Sequence, residues 1–206
     1  MSDTAPNAGV QANDDASPAD GAGKLQPQVY VISGPTAVGK GTIVARLRRL
    51  HPEIFVSCSA TTRAPRPGET DGLSYYFISN EEFDRLTASG GLLEWASVHG
   101  DRYGTPREPV EKALEQGRPV ILEIDLQGAR QVRTSYPQAV DIFLAPPSWD
   151  ELVHRLQGRG TETRAQQDRR LVTARDELAA EDEFDHVVVN EDIEATVRKM
   201  VDLMRL

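Results

Sequence analysis

The sequence predicts one α/β domain: a parallel β-sheet flanked by helices, with a β-rich subdomain inserted early in the chain and a small arginine-bearing lid late in it. Three observations lead to this. A glycine-rich loop, 34–42, stands between the apolar run Val29-Tyr30-Val31-Ile32 and a segment with Ile43, Val44, Leu47 and Leu50 at helical spacing. After Gly117, apolar strand runs alternate regularly with helical patterns, as in βαβ units. Between these regions, 61–98 is turn-rich and carries the aromatic strand signal Tyr75-Tyr76-Phe77-Ile78. A chain of 206 residues can bury a substantial core and is short for two ordinary domains.

Taken in order, residues 1–26 are rich in Ala, Asp, Pro, Asn and Gly, with Val10 and Leu25 as the only sizeable aliphatics after Met1. Such a segment buries too little apolar surface to offset its ordering entropy, so a disordered, solubilising tail is expected, with the domain at 27–206. The helix after the glycine-rich loop stops at Pro52, and 54–60 reads as a second strand. Ser79 with Glu82 has the spacing of a capping box for a helix carrying Phe83 and Leu86, which Gly90-Gly91 ends. Leu92-Leu93-Glu94-Trp95-Ala96 is a strand with an acid among apolar neighbours.

Thr105-Pro106-Arg107-Glu108 has the form of a helix start, with Thr as the cap and Pro first, for a helix running through Val110, Ala113 and Leu114. Next come a strand over 120–126 ending in acids, a helix over 129–135 and a strand over 139–144. Ser148 with Glu151 caps a helix carrying Leu152, Val153 and Leu156, which Gly158-Arg159-Gly160 interrupts. A long helix resumes after Thr163, 185–190 forms the last strand, and Ile193, Val197, Met200, Val201 and Met204 mark the last helix. The chain has no internal repeat.

A formal net charge of −9 argues against a nucleic-acid partner or an anionic membrane surface; if the substrates are phosphates, the cations that serve them must be gathered locally. The one cysteine, Cys58, excludes an intrachain disulfide framework and reads as a small buried thiol. No apolar stretch has the length of a membrane span and no secretory signal is present, so the cytoplasm is the expected compartment.

The chemistry begins at Gly34-Pro35-Thr36-Ala37-Val38-Gly39-Lys40-Gly41-Thr42. Gly34 and Gly39 let the backbone curl with its N–H groups turned inward, Lys40 adds a mobile charge, and the following helix contributes its positive end: a nucleoside triphosphate site. Gly41 stands where such loops usually place a hydroxyl for magnesium. Thr42 is turned about 100° from that position, so either Thr42 or waters alone complete the metal shell. In Val120-Ile121-Leu122-Glu123-Ile124-Asp125 two acids two residues apart fall on one face at the carboxyl end of a buried strand, the place for a cation, a bound base or an arginine. Arg155, Arg159 and Arg170 lie on or beside a glycine-bounded segment, about 155–170, that suits a lid closing over a transferring phosphoryl group.

Together the glycine-rich loop, Ser59-Ala60-Thr61-Thr62-Arg63-Ala64-Pro65-Arg66-Pro67-Gly68-Glu69, Glu94-Trp95, Tyr103-Gly104-Thr105, Glu123-Ile124-Asp125-Leu126-Gln127-Gly128, Arg159-Gly160-Thr161-Glu162-Thr163 and Val188-Val189-Asn190 resemble guanylate kinases in order and spacing, from Val29 to Leu206. The resemblance implies ATP and GMP as substrates, dGMP beside GMP, magnesium bound with ATP, and an insertion at 61–98 that holds GMP. It implies that Arg63, Arg66 and Tyr75 hold the GMP phosphate, with Tyr103 against it or packed nearby. Ser59, Glu94, Thr105 and an acid of the Glu123/Asp125 pair would surround guanine. Lys40, Arg155, Arg159 and Arg170 match the family's catalytic cations, and Asn190 its adenine-binding stretch. Two departures stand out: Glu123 where the family commonly has Asp, and the Gly-Lys-Gly-Thr ending, which is similar to adenylate kinases. A monophosphate kinase with another base choice and a non-catalytic binding module of the same fold are the two alternatives. The first rests on Gly41 and is opposed by Glu94; the second is opposed by Lys40 and the lid arginines.

Overall fold

The computed structural model describes residues 27–98, 100–158 and 164–206. Its centre is β1, Val29–Ser33, all five residues of which are buried. Both faces of this strand are covered, which is why it reads as a continuous apolar run rather than an alternating one. Around it lie β2 (Phe55–Val56), β7 (Val120–Glu123), β8 (Val140–Ala145) and β9 (His186–Val189), all parallel, in the order β2-β7-β1-β8-β9.

Alternate residues of each strand feed opposite layers. Tyr30, Ile32, Ile121, Ile142 and Leu144 pack against α1 (Lys40–Leu50) through Ile43, Val44 and Leu47, and against α7 (Ile193–Met204) through Val197, Met200 and Met204. Val29, Val31, Val120, Leu122 and Phe143 face α3 (Arg107–Glu115) through Val110 and Ala113, and α4 (Leu126–Ser135) through Ala129 and Val132. The chain also contains α5 (Trp149–Gly158) and α6 (Arg164–Leu178), which contribute Leu152 and Ala174 to the first layer.

A second sheet, of order β4-β3-β6-β5, holds β3 (Ala60–Thr61), β4 (Tyr76–Phe77), β5 (Leu92–Val98) and β6 (Asp101–Pro106), with α2 (Asn80–Ala88) between β4 and β5. Its hairpin β5–β6 reaches past the expected 61–98 span to Pro106. The expected strand over 54–60 is two strands in two sheets. Ser57 N still bonds Ile121 O on β7, whereas Ser59 O already accepts from Tyr76 N beside β4, so the chain crosses between sheets at Cys58. That thiol is half-buried rather than in a strand interior.

β6 has no clean alternation because Gly104 interrupts it, and the structure requires that glycine. A Cβ there would stand 2.8 Å from Glu94 O and 2.9 Å from Trp95 Cβ. Thr105 therefore lies in β6 and does not cap α3, whose N-cap is Pro106 with no side-chain cap. The strand expected over 120–126 ends at Glu123. Asp125 is the N-cap of α4 and accepts from Gly128 N at 2.8 Å, so the two acids do not share a strand face. The serine half of each expected capping box is present: Glu82 N donates to Ser79 Oγ and Glu151 N to Ser148 Oγ, both at 3.1 Å, while the Glu82 and Glu151 carboxylates pair with Arg85 and Arg155.

On the edge away from the loops, Asp141 of β8 is only 4% exposed. Arg133 Nε donates to its Oδ2 at 2.9 Å, and Nη2 stands equally close without being aligned for a hydrogen bond. Arg133 also lies over the Phe184 ring, so it closes α4 onto β8. Burial pushes the Asp141 carboxyl up and Arg133 pulls it down. Replacing Arg133 by Ala strands a buried carboxylate, and the variant is expected to lose about 3 kcal/mol at neutral pH. A carboxyl whose folded pKa is raised favours the folded state as pH falls, so the deficit should shrink in acid as Asp141 takes up a proton. Urea unfolding of parent and variant at pH 7 and pH 5 checks both points.

Candidate active site

The triphosphate loop runs from the end of β1 into α1 over the carboxyl edge of β8. At Gly34, φ is +140° and a Cβ would sit 2.2 Å from Leu144 O, so no other residue fits. Gly39, φ +103°, is the N-cap of α1, and a Cβ there would meet Asn190 Nδ2 at 2.7 Å. Between them Ala37 is also left-handed, at φ +63°. Lys40 Nζ donates back to the carbonyls of Gly34 and, at 3.3 Å, Pro35. Arg170 of α6 donates to Thr36 Oγ1 at 3.1 Å.

Asn190, expected at ATP, and Arg155, expected as a catalytic cation, both brace this loop. Asn190 is buried, donates from Nδ2 to Val38 O at 2.8 Å, and is fixed in that orientation by Thr196 Oγ1, which donates to its Oδ1. Arg155 reaches Val38 O and Asn190 O at 3.4 and 3.2 Å while Glu151 holds its Nε at 2.8 Å. Above them a cavity of about 560 Å³ is lined by Ala37, Gly39, Thr42, Arg155, Asn190 and Ile193, room enough for a nucleotide's base and sugar. Arg159 lies outside the described residues.

Glu123 and Asp125 point to different places. A Cβ on Gly41 would stand 3.5 and 3.8 Å from the two Glu123 oxygens, so Glu123 leans over the start of α1. The residue is solvent-exposed, and the cleft walls raise its pKa while Lys40 lowers it. Asp125 stands beside Glu94: a Cβ on Gly128 would meet Glu94 Oε2 at 3.1 Å and Asp125 Oδ1 at 3.4 Å.

Glu94 and Thr105 are cross-strand partners on β5 and β6, both buried, and Thr105 Oγ1 donates to Glu94 Oε1 at 2.6 Å. Among the described residues no cation forms an ion pair with Glu94. Burial raises its pKa most, the nearby Asp125 raises it further, and Thr105 lowers it. Carrying the antiparallel register Ala60↔Gly104 one residue on brings Ser59 level with Thr105.

On the open side of the same sheet Arg63 gathers the remaining groups. Its Nη1 and Nη2 donate to Glu69 at 3.0 and 2.9 Å, its Nε to Tyr103 Oη at 3.2 Å, and its CZ lies 5.5 Å from the Tyr75 ring centroid. Tyr75 and Tyr103 meet edge-on at 5.9 Å. Arg66 is exposed next to this cluster, and its backbone N–H donates to Glu69. Glu69, as the ion partner of Arg63, was missed in the sequence, although it lies in the same motif. Glu177 of α6, buried with one unpartnered oxygen, was missed too, because nothing in this largely polar helix marks which of its acids is turned inward.

A family model described as guanylate kinase matches residues 26–206. The chain is 64% identical over 179 residues to the guanylate kinase of Cutibacterium acnes, covering 86% of this chain and 90% of that one. It is 62% identical over 182 residues to that of Leifsonia xyli, covering 88% and 72%. Among solved structures, guanylate kinase from Anaplasma phagocytophilum superposes with a TM-score of 0.68 at 37% identity, over 88% of this chain and 86% of that one.

The two loop glycines are expected to respond oppositely to substitution. Gly34→Ala has no room and the wrong φ, so it should abolish folding or triphosphate binding. Gly41→Ser meets Glu123 at ordinary contact distance inside a helix, where Ser is favoured over Gly by a few tenths of a kcal/mol. It should fold with an unchanged or slightly higher melting temperature and work at lower magnesium. Thermal unfolding and a magnesium titration of turnover check the pair.

Proposed function

The chain belongs to the guanylate kinase family, an ATP-dependent kinase converting GMP to GDP, and on that premise we propose which of its residues carry the reaction and how. The observation that carries the reading is Glu94: a buried carboxylate compensated, within the described residues, by a hydroxyl and no cation. Such a group is costly unless a ligand supplies donors. Guanine offers two side by side, N1–H and the exocyclic amine, whereas adenine presents an acceptor nitrogen and lacks both. Asp125, beside Glu94, is the second acid of the base site, with the Ser59 and Thr105 hydroxyls completing it. Glu123 leans to the triphosphate loop and is assigned to the donor side. No assigned contact uses the ribose 2′-hydroxyl, so the reading extends to dGMP.

Arg63 and Arg66 hold the acceptor phosphate with Tyr75 and Tyr103, the residues at about 60–106 forming the GMP-holding subdomain. Lys40 leaves the Gly34 and Pro35 carbonyls for the β- and γ-phosphates, and the amides of the loop enclose them. Arg170 and Arg159, assigned to a lid at about 155–170, would stabilise the group in flight, while Arg155 and Asn190 keep the loop in shape under the adenosine cavity. The two phosphates repel until these cations are in place, so closure both assembles the site and keeps water from the γ-phosphoryl group. Thr42 and Glu123 are hard oxygen donors of the kind magnesium takes, few in number as in triphosphate sites. Magnesium bound with ATP would neutralise charge on the β- and γ-oxygens. The carboxylate and hydroxyl groups need no covalent role, because the transfer is direct and in line.

ADP release measured with Mg-ATP and, in turn, GMP, dGMP, AMP, CMP and UMP tests the reading; equal use of AMP and GMP would overturn it. Glu94→Gln keeps the shape but brings a donor amide and removes the charge, so GMP efficiency should fall by roughly two to three orders of magnitude with AMP use little changed. Only ionised Glu94 accepts both guanine donors, and its pKa is raised above the ordinary carboxylate value of 4.5. GMP affinity should therefore weaken on acidification at a higher pH than an ordinary carboxylate would give. GMP's own phosphate titrates as well, so the difference between parent and Glu94→Gln isolates the effect. Lys40→Ala should lower turnover by about a hundredfold while GMP binding hardly changes, read by steady-state kinetics and calorimetry.

A further inference from the structure

β5 stands at the end of the second sheet, so its outer edge has no neighbouring strand. Such an edge leaves backbone N–H and C=O groups to be paired by something else. Here α4 pairs them. Gly128, Gln131 and Ser135 follow the i, i+3, i+7 spacing of one face of that helix. Gln131 forms a reciprocal pair with Trp95: its Oε1 accepts the Trp95 N–H at 3.0 Å, and its Nε2 donates to Trp95 O at 2.9 Å. The two contacts fix which way the carboxamide lies, since the reverse would set donor against donor. One turn further on, Ser135 Oγ donates to Leu93 O at 2.6 Å.

These bonds fall on the two peptide units that flank Glu94. Leu93 O belongs to the unit before its Cα, and Trp95 N to the unit after it. A residue's backbone has only two soft dihedrals, and orienting both flanking units sets them. The strand alone would set them poorly, because the β5–β6 register slips between Leu92 and Glu94, where the carboxylate is carried. An irregularity of this kind re-aims a side chain at the expense of regular pairing. The carboxylate is guided as well: Thr105 Oγ1 donates to its Oε1, and Gly128 leaves room for its Oε2, which a Cβ there would meet at 3.1 Å. Ala129 and Val132 of α4 are buried with Leu93 in the layer that also holds Val29 and Val31 of β1. Glu94 is therefore tied, through α4, to the sheet from which the triphosphate loop springs.

We propose that Gln131 and Ser135 are positioning residues for base selection: by holding the peptides on either side of Glu94 against α4, they aim its carboxylate at the two guanine donors. The inference rests on Glu94 reading guanine, as proposed above. A carboxylate that must meet two donors side by side tolerates little displacement, and small misplacements of a binding group cost large factors in rate. The bland alternative is that the two side chains only close an open strand edge, which would stabilise the fold without regard to the base.

The test uses the full-length enzyme. Steady-state kcat and KM are measured for GMP and for AMP with Mg-ATP in excess, ATP affinity by calorimetry, and thermal unfolding without nucleotide. Gln131→Ala should lower kcat/KM for GMP by about tenfold with AMP use and ATP affinity unchanged, so the preference for GMP over AMP narrows by the same factor. Ser135→Ala removes one bond instead of two and should act in the same direction by about threefold. In a Glu94→Gln background either substitution should alter GMP efficiency by less than about twofold, because its effect passes through the carboxylate. A mere strand tie would lower the melting temperature and cost GMP equally in both backgrounds. If Gln131→Ala does not fold, Ser135→Ala carries the same cycle. An undiminished preference for GMP in the single variants overturns the proposal, as does a loss that persists at full size beside Glu94→Gln. Failure of the functional reading looks different: the parent enzyme itself would use AMP as readily as GMP.

Discussion

Among the described residues, the closest approach that admits no side chain is that of Gly34 to the Leu144 carbonyl, where a Cβ would be only 2.2 Å away. Because β1 ends directly against β8, the chain must leave the sheet by curling over that strand's edge, and the curl turns successive amides inward. The supports of the loop follow from this. Asn190 and Arg155 fill the space on one side by taking up Val38 O, and α6 closes the other side through Arg170. A phosphate cage needs its N–H groups unpaired, so the carbonyls around it must be tied down; Lys40, Asn190 and Arg155 all do so.

Much of the fold was legible because its signals are local. Continuous apolar runs gave the buried parallel strands, and Ser79 and Ser148 announced their helices because a hydroxyl three residues before an acid has one dominant use. Thr105 has the same local signature and a different role. Its hydroxyl is claimed by Glu94 on the neighbouring strand, a partner eleven residues back that no window around Thr105 contains. Gly104 hid β6 for a related reason, since a strand glycine demanded by a cross-strand backbone approach looks in sequence like a break.

The candidate site was legible residue by residue and less so in its arrangement. Glu123 and Asp125 look like a pair on one strand face. The strand stops at Glu123, Asp125 caps a helix, and the two carboxylates end up in different places, one over the start of α1 and the other beside Glu94. Asn190 and Arg155 line the cavity beside the loop, and each donates to Val38 O, which no motif spacing states. Glu177 carries no sequence signal of its own, because α6 is rich in acids and arginines beside its few apolar residues, and only the packed helix shows which acid is turned inward.

The bidentate pair of Arg63 with Glu69 also bears on how the molecule meets its substrates from a distance. Glu69 is held below the ordinary carboxylate range, first by Arg63 and then by the Arg66 amide, so the guanidinium is matched by a full negative charge at rest. An approaching phosphate therefore meets a local dipole in a chain of net charge −9, and long-range attraction contributes little to its arrival. If Arg63 takes the phosphate as proposed, capture is an exchange of one anion for another at contact range. A rigid guanidinium fork suits such an exchange, because carboxylate and phosphate oxygens present it with the same spacing. On the reading proposed above, what distinguishes the incoming group is its higher charge and its attachment to a base that Glu94 would already hold, so recognition would be conferred by the covalent link between the two halves of the ligand.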